Sequence, residues 1–133
     1  MVNNGGYILR ITTKEWVDQV FDLAIYYTSS PRNWKAGQRL VFVHKTSSGD
    51  AFVGYGEIRN VYSSDELSDK ERLECQKWGW KKAIELEYVT RFNGPLLVKR
   101  TFFKDSKLRG RSLHGLALTN EQVNSIIGQG EQQ

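Results

Sequence analysis

The sequence predicts an α+β domain in which five or six mostly antiparallel strands curl into a small barrel, with short helices over its ends. Three observations predict it. Residues 38–62 hold two β-prone runs, 40–43 and 51–58, joined by the turn formers Thr46-Ser47-Ser48-Gly49-Asp50, which is the pattern of a hairpin. Residues 81–90 alternate, with Ile84, Leu86 and Tyr88 on one side and Glu85 and Glu87 on the other, as a half-buried antiparallel strand does. Thr12-x-x-Glu15, Ser68-x-x-Glu71 and Thr119-x-x-Gln122 have the form of capping boxes that open short helices. A sheet of this size on 133 residues must bury a face and protect its edges, and closure does both.

Taken in order, residues 7–11 are an apolar run placed as a buried first strand. Val17, Val20, Phe21 and Ala24 follow at helical spacing and pack that helix on the sheet, with Trp16 at the border of the buried face as a core residue. Residues 26–34, YYTSSPRNW, break the pattern and read as a polar loop that nonetheless carries three large aromatics. In the hairpin, Gly54 and Gly56 lack side chains on one face, which means either tight packing or close approach of a ligand. The helix opened by Ser68 runs through Trp78 to Gly79 on the surface, and Trp78-Gly79-Trp80 either lines a groove or, the preferred reading, anchors it to the body. Asn93-Gly94-Pro95 reads as a turn, residues 96–98 continue the core, and Leu113, Leu116 and Leu118 form a last strand. Val123, Ile126 and Ile127 dock the final helix, stopped at Gly128. Residues 1–133 make one domain, with 1–6 and 129–133 as flexible ends.

Composition narrows the class. The one cysteine, Cys75, cannot form an internal disulfide, and no apolar leader is visible, so a reducing, cytoplasmic setting is expected. No apolar run reaches the roughly 20 residues of a membrane span. The chain lacks CxxC, HExxH and Gly-rich phosphate-loop patterns, and it offers His44 and His114 as its two histidines. No metal, cofactor or catalytic residue is expected, and binding is favoured over catalysis. His44 reads as a structural group and His114 as a neighbour of the basic segment.

The net charge of +4 has an address. Residues 1–90 carry 12 Lys/Arg and 12 Asp/Glu, whereas residues 91–111 carry Arg91, Lys99, Arg100, Lys104, Lys107, Arg109 and Arg111 against Asp105 alone. Such clustering is the footprint of a phosphate-binding surface, although solvated loops also collect cations. The 26–34 loop supplies the complementary chemistry. Tyr26, Tyr27 and Trp34 can stack on a planar ligand, while Ser29 and Asn33 can read its polar edge, or the rings can simply plug the barrel end. The two segments are expected side by side at one barrel end, accepting a base lifted from DNA or RNA.

The segments YILRITTKEW, NWKAGQRLVFVHK, AFVGYGEIRNVY, KKAIELEYV and GRSLHGLALTNEQVNSII resemble, in order and spacing, the EVE domain of the PUA-like superfamily, to which the YTH and ASCH domains also belong. The likeness spans residues 7–127. It departs at Gln38, where an acidic residue is usual, and in the AIYYTSSPRNWKAG stretch that contributes to the family's pocket. The resemblance implies a PUA-like pseudo-barrel whose pocket takes a nucleic-acid base, often a modified one. Positions matching that pocket are Tyr26, Tyr27, Ser29, Asn33, Trp34, Arg109, Arg111 and Ser112. Two rival readings stand beside it. ASCH relatives include amidohydrolases of acylated pyrimidine nucleosides, and Lys45, Thr46 and Glu57 supply the lysine, threonine and glutamate in name. A plain peptide-binding module is the other.

Overall fold

The computed structural model describes residues 5–30, 32–108 and 110–133. Its elements are β1 (Gly6–Arg10), α1 (Lys14–Leu23), β2 (Ile25–Thr28), β3 (Arg39–Thr46), β4 (Gly49–Ser63), α2 (Asp69–Trp78), β5 (Lys82–Leu97), β6 (Ala117–Leu118) and α3 (Asn120–Gly130). Short 3-10 turns cover Ser64–Glu66, Val98–Arg100 and Gly110–Leu113. All six strands form one sheet in the order β2-β5-β4-β3-β1-β6. The β1·β3 pair is parallel and the other four pairs are antiparallel.

The sheet is α+β as expected, but its hydrogen-bond ladder does not close. β2 and β6 are its two edges and do not pair with each other. Both faces of the central strands are covered instead. Along β3, Leu40 and Phe42 point into one core with Val17 and Val20 of α1, while Val41 and Val43 point into another with Val123 and Ile126 of α3. Alternate residues therefore serve opposite cores, which explains why residues 40–43 are apolar without a break.

Several local readings need correction. The first helix starts one residue later than the Thr12 box implies: Thr13 is its N-cap and makes no side-chain capping bond. The Ser68 and Thr119 caps form, each hydroxyl accepting the backbone N–H three residues on. Residues 26–28 are not loop but the edge strand β2, pairing with Lys82, Ala83 and Ile84 of β5. Asn93-Gly94-Pro95 does not end its strand. Between Arg91, opposite Gly54, and Leu96, opposite Phe52, β5 carries extra residues against β4 and bulges outward. Gly54 has a packing reason: a Cβ there would come within 2.5 Å of the Phe21 ring and closer still to the Thr90 carbonyl oxygen.

The ends are also better tied than expected. Gly6 pairs with Arg39 and with Leu118, and α3 runs past Gly128 to Gly130, which is buried against the Phe92 ring. Residues 1–4 lie outside the described residues. No helix among the described residues is long and apolar enough to cross a membrane.

Candidate nucleic-acid interface

The open seam of the sheet is a cavity of about 390 Å³. One wall is the edge strand β2 with the two residues after it. The other is Arg10 at the end of β1 with the two residues after it, together with Arg111 and His114 from the turn before β6. Trp16 and Gln19 of α1 and Trp80, just before β5, complete the lining.

Aromatic rings build one side. Tyr27 and Trp80 stack with centroids 5.0 Å apart and planes 12° from parallel. Trp16 stands edge-on to Trp80 at 5.5 Å and to Trp78 at 5.3 Å, and Trp78 stacks on Trp80 at 6.0 Å. Such offset and T-shaped contacts hold rings rigidly without a covalent tie. The Tyr27 hydroxyl donates to Glu71 Oε2 at 2.9 Å, pinning the ring from the α2 side. Burial, followed by that carboxylate, holds the Tyr27 phenol far above its ordinary ionisation range. Burial likewise pushes Tyr26 up to about 12. Both phenols are therefore neutral donors at physiological pH.

The opposite side is cationic and polar. Arg10 donates to Asp50 Oδ1 through Nε at 3.3 Å and Nη2 at 3.2 Å, and Asp50 Oδ2 accepts the Gly110 N–H at 3.2 Å. One carboxylate thus joins the end of β1, the central hairpin and the turn carrying Arg111. His114 Nδ1 accepts the Arg10 backbone N–H at 3.0 Å, where a longer β6 would have supplied a carbonyl. That bond requires Nδ1 to be unprotonated. Consistently, desolvation, then the charges of Arg32 and Arg10, hold the imidazole below the usual 6.5. The neutral ring carries its proton on Nε2. His44, in contrast, is used within the fold, its Nδ1 lying 2.7 Å from the Ile11 carbonyl oxygen.

The candidates named from sequence divide clearly. Tyr26, Tyr27, Ser29 and Arg111 line the cavity. Trp34 does not: it is 4% exposed and packs in the core edge-on to Tyr7 at 5.3 Å, with Arg32 over the Tyr7 ring. Its apolar bulk outweighs a polar handle that finds no partner, since Nε1 is buried without a hydrogen bond. Asn33 and Ser112 are exposed and line no part of the cavity.

The basic segment does not gather as one patch at the cavity. Arg91 is bonded to Asp18 of α1 at 3.0 Å and lies over the Phe21 ring. Lys99 donates to the Ser48 carbonyl at 3.3 Å and borders a separate hollow with Asp50 and Phe103. Arg100, Lys104 and Lys107 are exposed on the stretch that follows β5. Arg109 lies outside the described residues. Lys45 and Thr46 sit at the hairpin turn and Glu57 pairs opposite Arg39 at the other end of β3, roughly 20 Å away at the strand rise. That trio is not brought together.

Sequence reasoning missed Trp16, Trp80, Arg10 and Gln19 as lining residues. The available signal was the Trp-Gly-Trp pair, two indoles that also close the helical excursion, read as an anchor in preference to a groove lining.

No protein-family model matches the chain, and no curated protein does. Solved structures do. The ASCH protein from Zymomonas mobilis superposes with a TM-score of 0.67 at 9% identity, over 95% of this chain and 96% of that one. A hypothetical protein from Leishmania major gives 0.62 at 14% identity, over 98% and 96%. The YTH domain of the Zygosaccharomyces rouxii MRB1 protein, crystallised in complex with N6-methyladenosine RNA, gives 0.60 at 16% identity, over 98% and 88%. These identities carry the fold alone. A six-stranded mixed sheet, helices on both of its faces and end-to-end superposition on ASCH and YTH domains together make this chain a PUA-like fold.

Proposed function

We propose that the seam cavity accepts a single base, unstacked from a nucleic-acid strand and favoured when it carries a small apolar modification. The observation that carries this reading is the joint lining of one 390 Å³ space by Trp16, Tyr27 and Trp80 on one side and Arg10, Arg111 and His114 on the other. The indole and phenol faces supply stacking area, worth about 1–3 kcal/mol per base. A methyl group on the base edge adds apolar contact to such walls. The Ser29 and Ser30 groups and the His114 Nε2–H provide polar partners for the edge. Arg111, exposed at the mouth, meets a flanking phosphate. The shared fold with a YTH domain solved on methylated RNA supports the same reading.

The test is binding of the full chain to labelled RNA and DNA oligonucleotides with unmodified and methylated bases, for the native protein and for Trp80→Ala. The native chain is expected to prefer one base at one position, and the variant to lose that preference. Equal affinity for every oligonucleotide, unchanged in the variant, would overturn the reading.

A further inference from the structure

The aromatic wall has a second side. A wider groove of about 690 Å³ shares Trp16, Gln19, Tyr27 and Trp80 with the seam cavity and no other residue. The rest of its lining comes from α1, α2 and the residue that caps α2. Its charge is of opposite sign. Where the cavity has Arg10 and Arg111, the groove has Glu15, Glu71 and Glu74 against Lys70.

The carboxylates and rings are arranged together. Glu71 accepts the Tyr27 hydroxyl on one oxygen and the Ser68 hydroxyl on the other, and Glu74 accepts the Trp78 indole N–H at 3.1 Å. Each oxygen retains a further lone pair for an incoming donor. Trp78 is 47% exposed and already holds one internal cation, Lys77 Nζ at 5.2 Å from its ring centroid. Leu23, 65% exposed, borders the same groove and offers apolar surface beside the charges. Indole faces attract ammonium and guanidinium groups, and nearby carboxylates strengthen that attraction while repelling phosphate.

We infer that this groove docks a basic peptide segment of a partner protein, a lysine or arginine lying over Trp78 with its charge met by Glu15 and Glu74, and an adjacent apolar side chain on Leu23. The two faces of one aromatic wall are thereby selective by charge, anionic strand on the sheet-seam side and cationic peptide on the helix side. This inference stands whatever the cavity binds.

The experiment titrates the full chain with a short labelled peptide of alternating basic and leucine residues, and with a counterpart in which glutamine replaces every cation. The glutamine peptide is expected to bind about ten-fold more weakly. Trp78→Ala should weaken the basic peptide about five-fold, and Glu15→Gln with Glu74→Gln by a similar factor, about five-fold. The double Gln variant should leave oligonucleotide binding and the circular dichroism spectrum unchanged. Equal binding of the two peptides, or full binding by both variants, overturns the inference. So does self-association of the chain that Trp78→Ala abolishes in sedimentation, because the groove would then belong to a second copy.

Discussion

Tyr27 and Trp80 lie face to face at 5.0 Å, one on an edge strand and the other on the joint after α2, so the cavity wall is built by two segments 53 positions apart. The Tyr27 hydroxyl is anchored to Glu71. Tyr27→Phe keeps the stack and removes the anchor. It is expected to lower stability by about 1 kcal/mol in urea denaturation, with a smaller loss of base discrimination than Trp80→Ala.

His114 makes stability depend on pH in a stated direction. Its folded-state value is depressed, by desolvation first, so the unfolded chain binds a proton more readily. The contribution is whole above the unfolded value near 6.5 and is lost as pH falls through the lower folded value. The melting temperature should fall between about pH 7 and pH 5. His114→Asn offers an uncharged acceptor to the Arg10 N–H and should flatten that slope.

Gly54→Ala should destabilise the fold by roughly 1–3 kcal/mol. The Phe21 ring can rotate away from a new Cβ, but the Thr90 carbonyl belongs to the paired strand and cannot. Adding Phe21→Leu should therefore recover little, as a double-mutant comparison of unfolding midpoints will show.

The cations of the basic segment should separate by location. Arg111→Ala should weaken oligonucleotide binding and reduce the salt slope by about 1. Arg91→Ala should leave binding and its salt dependence unchanged and cost below about 1 kcal/mol of stability, because its guanidinium is occupied with Asp18 and Phe21.

Much of the fold was legible because it rests on local physics. The hairpin shows in its two β-branched runs and turn residues. Two capping boxes show in residue spacing, and the alternation of residues 81–90 shows which strand has a solvated stretch. What was not legible depends on contacts between distant segments. YYT reads as loop because its strand character comes from pairing with Ala83 and Ile84, not from its own flanks. Trp34 reads as a ligand ring because nothing nearby in sequence announces Tyr7, 27 positions upstream, as its partner. Charge counting over residues 91–111 gave a sum without a direction. The bulge at residues 92–95 and the 3-10 turns that follow give Arg91, Lys99 and Arg111 different neighbours, so one number stood for several surfaces.

Asp50 finally bears on how the molecule assembles. Its carboxylate fastens Arg10, 40 positions upstream, and Gly110, 60 positions downstream. The far wall of the seam therefore completes only after two long loops have closed, each at an entropic cost repaid late. A chain with its sheet already paired but that clasp still open would leave the far wall of the cavity without a fixed shape.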